Sequence, residues 1–203
     1  MKFNLIINSF IDENTYIIYD NNTALIIDPG SDFNKIDTFL KEHDLINISI
    51  YLTHSHIDHI LSCDKLVFKY NAPIYVHKDE IDLLFDEKQN MSAMYDNINI
   101  KDAIAIENIL KIKCLGTFNI YHVPGHTKGH SMLEAKELNA LFSGDFVFYH
   151  EIGRCDLPTG NYNIMLDSLD ILKTFTTDYD IYPGHGPQTS IKDELKHNPY
   201  IRR

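Results

Sequence analysis

Three histidines and an aspartate fall within six residues in the segment Thr53-His54-Ser55-His56-Ile57-Asp58-His59. Buried, each imidazole and the carboxylate would need a polar partner, so the segment makes a poor core. Imidazole nitrogen and carboxylate oxygen are instead the usual donors to zinc, manganese and iron. His54 and His56, two apart, can point to one side, while Asp58 and His59 can turn toward a second position nearby. One short loop can therefore feed two metal ions. The plain alternative is a His-rich surface loop, but such a loop needs neither a β-run leading in nor a helix leading out.

Three further segments offer donors at strand ends. Val123-Pro124-Gly125-His126 places a histidine in a turn after a strand, and Tyr182-Pro183-Gly184-His185 repeats the design. Phe142-Ser143-Gly144-Asp145 ends a strand with a carboxylate able to bridge two ions. Pro-Gly alone is an ordinary turn signal, so the weight lies in the set of four. His130, four residues after His126, reads as an outer partner or as core. His43, His77, His150 and His197 stand isolated and read as satisfied or exposed side chains. Asp28, in Asp28-Pro29-Gly30, is expected to order a loop beneath the site. Nothing marks Cys155 as a reactive thiol.

These donors need a frame to hold them. Short β-rich runs end at turns: residues 1–10, Thr15–Tyr19 before Asp20-Asn21-Asn22, and Ala24–Ile27 before Asp28-Pro29-Gly30. Ile36, Phe39 and Leu40 give a helical spacing over 34–43, capped by Ser31 or Asp32. Residues 46–52 form a buried strand that runs into Thr53. Helices are expected over 60–70, 79–86, 162–174 and 191–197. Further strands are expected over 74–76, 109–114, 118–123, 131–134, 140–142 and 179–182. Residues 87–99 have no clean period and read as a mobile loop near the entrance. Interleaved strands and helices in both halves mean an α/β layered domain, a single one over residues 1–203.

Composition narrows the class. The chain has 203 residues, 44% hydrophobic and 23% charged, which is the profile of a globular protein with a real core. A net charge of −11 and the lack of any basic run work against nucleic-acid binding. No stretch reads as a bilayer span or a signal peptide. Three widely spaced cysteines fit a reducing compartment, so a soluble cytoplasmic enzyme is expected. The sequence does not set the oligomeric state.

The four donor segments together resemble the metallo-β-lactamase superfamily, whose hallmark is Thr-His-x-His-x-Asp-His. Within it the chain is similar to short bacterial glyoxalase II-like hydrolases. The likeness extends through Glu13-Asn14-Thr15-Tyr16, Ile152-Gly153-Arg154, Asp156-Leu157-Pro158 and His197-Asn198-Pro199-Tyr200. It implies a four-layer αβ/βα sandwich with the site at one edge. It further implies one metal on His54, His56 and His126, a second on Asp58, His59 and His185, and Asp145 bridging both. Two divalent ions are implied, zinc first, with iron or manganese compatible. The activity implied is hydrolysis of thioesters such as S-lactoylglutathione by a metal-bridging hydroxide, with Asp58 as the catalytic carboxylate. Arg154 stands where such enzymes contact glutathione, unless it only pairs with Asp156. Gly186-Pro187 replaces a substrate-contacting tyrosine, and only 18 residues follow His185 where full-length enzymes carry a helical domain, which loosens the expected glutathione specificity. Competing readings are a mononuclear-iron persulfide dioxygenase and a non-catalytic metal-binding protein.

Overall fold

The computed structural model describes residues 1–9, 11–95 and 98–202. The first of two six-stranded sheets runs in the order β1 (Lys2–Ile7), β2 (Asn14–Asp20), β3 (Thr23–Ile27), β4 (Asn47–Leu52), β5 (Ile74–His77) and β6 (Ile104–Ile106). Its first three strands are antiparallel, and β3 to β6 are parallel. The second sheet begins with the antiparallel meander β7 (Ile109–Ile112), β8 (Gly116–His122), β9 (Ser131–Ala135) and β10 (Ala140–Gly144). A small hairpin, β11 (Val147–Phe148) and β12 (Glu151–Ile152), follows. The second sheet is completed by β13 (Asp180–Pro183), parallel to β10, and β14 (Thr189–Ser190).

Alternation along the strands builds the layers. Tyr16, Ile18, Leu25 and Ile27 face a core shared with Phe118, Ile120, Leu133 and Phe142 of the second sheet. Ile17, Ala24 and Ile26 point the other way, onto Ile36 and Leu40 of α1 (Phe33–Glu42) and Leu66 of the helix over Cys63–Tyr70. On the second sheet, Met132, Leu141 and Ile181 meet Met165 and Leu169 of the helix over Tyr162–Leu169 and Ile191 of the helix over Ile191–His197. Strands buried on both faces read as continuous apolar runs. The result is the four-layer αβ/βα sandwich.

Several boundaries differ from the sequence reading. The helix expected over 60–70 is two pieces, α2 (Ile57–Ile60) and α3 (Cys63–Tyr70). Ser62 interrupts them: its hydroxyl donates to the Ser31 carbonyl at 2.6 Å and its N–H to the Pro29 carbonyl at 2.9 Å. Side-chain bonds of this kind compete with the helix ladder. Because α2 starts before the expected helix, Asp58 and His59 sit on a helical turn. The helix over 79–86 shortens to a 3₁₀ turn at Lys78–Glu80 followed by α4 (Ile81–Leu84). The helix from Tyr162 tightens into 3₁₀ at Asp170, leaving α5 (Tyr162–Leu169), and α6 (Ile191–His197) keeps its expected span. The strands β6, β11, β12 and β14 are too short to show a period. Within 87–99, Asn90 is buried and its carbonyl accepts from Ile57 N–H at 2.9 Å, so this segment packs on the donor loop. Residues 96 and 97 lie outside the described residues. Among the described residues no helix is long and apolar enough to cross a membrane.

Candidate metal centre

Each donor leaves the C-terminal end of a strand. The end of β4 leads into His54, His56, Asp58 and His59; β8 leads to His126, β10 to Asp145 and β13 to His185. The four strands lie in two sheets, yet their ends meet at one edge of the sandwich. His126 Nε2 lies 2.8 Å from His56 Nδ1, 3.2 Å from His54 Nε2 and 3.6 Å from Asp145 Oδ2. His185 Nε2 lies 3.2 Å from Asp58 Oδ2 and 3.7 Å from Asp145 Oδ1, and His59 Nε2 is 3.4 Å from that same oxygen. Two donor groups result, His54/His56/His126 and Asp58/His59/His185, each compact enough to hold an ion. Asp145 offers one oxygen to each.

Surrounding acceptors orient the rings. His126 Nδ1–H donates to the Arg154 carbonyl at 2.7 Å and His185 Nδ1–H to the Asp12 carbonyl at 3.2 Å. His59 Nδ1–H faces Asp28 Oδ2 at 3.1 Å. Thr53 donates its hydroxyl to Asp28 Oδ2 at 2.6 Å, so its oxygen is free to accept from His54 Nδ1–H at 3.1 Å. Occupying Nδ1 leaves each Nε2 lone pair facing the centre, the usual way ligating histidines are aimed. His56 is the exception, since its Nδ1 faces His126.

The donor set fits divalent cations on the structure's own terms. His59 Nε2 and Asp145 Oδ1 are buried without a hydrogen-bond partner among the described residues. Inward-facing orphans of both donor types at one point are what an ion would satisfy. Burial lowers the pKa of His54 well below its usual value, with help from His59 and His126, and brings His56 down to about 3. Burial also lowers His126, against the pull of Asp145. Those three rings are held neutral, the form that binds metal. Burial opposes protonation of His59 and His185 as well, but Asp145 and Asp58 outweigh it and raise both.

The Metallo-beta-lactamase superfamily model matches residues 9–185. The chain belongs to this superfamily. It is 34% identical over 197 residues to the probable metallo-hydrolase YqgX of Bacillus subtilis, covering 94% of this chain and 93% of the relative. It is 30% identical over 210 residues to the hydroxyacylglutathione hydrolase GloC of Haemophilus influenzae, covering 99% and 98%. Among solved structures it resembles the BLEG-1 B3 metallo-beta-lactamase (TM-score 0.88, 33% identity, 100% of both chains) and the di-iron-bound form of TTHA1623 (TM-score 0.84, 28% identity, 97% and 98%). Hydrolase chemistry and metal binding come with this superfamily.

The structure brings His54, His56, Asp58, His59, His126, Asp145 and His185 together. Arg154 reaches the centre only through its backbone. Its side chain is 61% exposed and grips Asp156 with two bonds of 2.7 and 2.8 Å. Asp28 holds Thr53 and His59, as its turn position suggested. His130 is buried, accepts Asp145 N–H at 3.1 Å and stacks on His54. His77 and His150 are not isolated. His77 stacks on His122 with centroids 4.1 Å apart, and His150 pairs with Asp193 at 2.6 Å. Sequence reasoning passed over the carbonyls of Asp12 and Arg154, because a backbone oxygen carries no residue signal. It also passed over Glu80, one acidic residue among several in a polar turn.

Proposed function

We propose that this chain is a hydrolase working with two divalent cations, zinc foremost with iron or manganese compatible, and that it cleaves thioesters of small hydroxyacyl groups, S-lactoylglutathione among them. His54, His56 and His126 would hold one cation, and Asp58, His59 and His185 the other. The observation carrying the reading is Asp145, whose two oxygens each face a different donor group. Bound cations would supply Lewis acidity toward a carbonyl oxygen and an acidified water.

The chain's own residues do the rest. Asp58, with 28% of its side chain exposed against 12% for Asp145, is the more open carboxylate. Burial would raise its pKa, but His59 and His185 outweigh that and keep it ionised. It is thus placed to orient a water and take its proton. A thiolate leaves without being protonated, so a site built of ligands and one base suits a thioester. The resemblance to a relative named hydroxyacylglutathione hydrolase supports the same class. Arg154, once released from Asp156, would meet the glutathione carboxylates.

The test pairs metal content with hydrolysis of S-lactoylglutathione, simpler thioesters, lactones, phosphoesters and a β-lactam, for the wild type and Asp58→Ala. Two ions per chain, preference for thioesters and a rate loss of at least about a hundredfold in Asp58→Ala are expected. Equal rates for the two proteins would overturn the role of Asp58. One iron per chain with oxygen uptake on a persulfide would replace hydrolysis by sulfur oxidation.

A further inference from the structure

Glu80 closes the 3₁₀ turn after β5, and its carboxylate is wholly buried with no Lys or Arg among the described residues bonded to it. Burying a carboxylate without a cation is costly unless donors replace the lost water. Four do, divided between two segments. Oε1 accepts Ser55 N–H at 2.9 Å and the Ser55 hydroxyl at 2.7 Å. Oε2 accepts the Thr127 hydroxyl at 2.8 Å and Gly129 N–H at 3.0 Å. Ser55 stands between His54 and His56, and Thr127 follows His126. One carboxylate thereby ties together the two loops that supply the three-histidine group, one oxygen to each loop.

The packing leaves this tie no slack. A Cβ on Gly129 would fall 2.2 Å from the Glu80 nitrogen and 2.5 Å from the Asp79 carbonyl carbon. The other donor group is held by different means. Asp28 holds His59, the Asp12 carbonyl holds His185, and Asn14 Nδ2 donates to the carbonyls of Pro183 and Gly186 on either side of it at 3.0 and 2.9 Å.

We infer that Glu80 is a positioning residue for the three-histidine cation site alone, setting the spacing of His54 and His56 from His126 by bridging their loops. This rests on the two-cation reading above. An amide in its place keeps the shape but turns one accepting oxygen into a donor, so one loop loses its partner.

The experiment measures Zn(II), and separately Co(II), binding to the metal-free protein by competition with a chromophoric chelator. Glu80→Gln is placed on two backgrounds. On His185→Ala, where the three-histidine group is intact, Glu80→Gln is expected to weaken the remaining ion by about 10–100-fold, the scale for losing an outer partner of a ligand. On His126→Ala, where the Asp58/His59/His185 group is intact, no change is expected. Equal weakening on both backgrounds would make Glu80 a general structural residue, and no weakening on either would make it irrelevant to metal; both overturn the inference. If Glu80→Gln does not fold, Ser55→Ala removes one donor of the four and should weaken the same ion severalfold on His185→Ala only; no such selectivity again overturns the inference. A wild type that takes up a single ion refutes the two-cation reading on its own. In that case Glu80→Gln in the otherwise unaltered chain still decides whether the tie supports that ion.

Discussion

The two donor groups meet at one carboxylate yet are built on opposite principles. His54, His56 and His126 are buried, all imidazole and kept neutral by desolvation. Their loops are held from beneath by Glu80 and by the Arg154 carbonyl. Asp58, His59 and His185 combine a carboxylate with rings whose protonated form is favoured, and two of the three are more than a quarter exposed at the side chain. The first group is dry and held in place by its surroundings. The second is the more exposed of the two, and under the proposed function it carries the base. The proposed function thereby places retention and reactivity in different halves of one centre, with Asp145 between them.

Removing the coupling should have the largest effect. Asp145→Ala takes a donor from both halves, so loading of both ions and hydrolysis should each fall by more than about a hundredfold, beyond the loss seen for an outer partner. Metal analysis after dialysis, together with rates at saturating metal, checks this. Retention of both ions would break the picture of two halves joined at one residue.

Two glycines offer a way to disturb one half at a time. A Cβ at Gly184 would lie 2.4 Å from Asp145 Oδ1 and 2.6 Å from His59 Cε1, pressing on the open half. A Cβ at Gly125 would lie 2.4 Å from the Met165 Cα, and its φ of +143° is one L side chains avoid, so the strain falls on the turn leading to His126. Gly184→Ala should weaken one ion by about 10–100-fold while sparing the three-histidine site, and Gly125→Ala the reverse. Chelator competition on the His126→Ala and His185→Ala backgrounds separates the two. Matching losses from both substitutions would mean that the halves are not independent.

A smaller effect tests whether acid acts on the centre or on the fold. Asp37 on α1 is nearly buried. Burial would raise its pKa, but Lys41, Lys69 and Tyr70 outweigh this and hold it well below the carboxylate range. A depressed folded pKa stabilises the protein above the unfolded value, roughly 3.9, and that contribution is lost as pH falls through the lowered one. Asp37→Asn should therefore lower Tm at pH 7, and the gap from wild type should begin to narrow below about pH 4 and close as pH falls through the lowered folded pKa. A gap constant with pH would show that Asp37 contributes through packing and not through charge.

Much of this centre was legible in the order of residues. Metal donors have few side-chain types, and four strand ends each carrying one make a pattern that composition alone would not produce. The β-rich runs Thr15–Tyr19 and Ala24–Ile27, each ended by a turn, marked strands, although they could not say that Tyr16 and Ile17 serve different layers. Strands of two or three residues were also missed, because an alternation needs more length than that to register. At Ser62 a side-chain bond to a distant carbonyl accompanies the break in the expected helix, and its first piece starts early enough to include Asp58 and His59.

The sequence by itself determined which atoms are available to bind metal, since ligand chemistry belongs to the residue type. Only the tertiary structure decided how they divide. The 2.8 Å between His56 and His126, the two faces of Asp145 and the Nδ1 partners that aim the rings all join positions far apart in the chain. Glu80 makes the case most sharply. In sequence it is one acid in a polar turn beside Asp79 and Asp82. In the fold it becomes a buried carboxylate joining two ligand loops, because distance and burial are properties of the packed chain and not of its order.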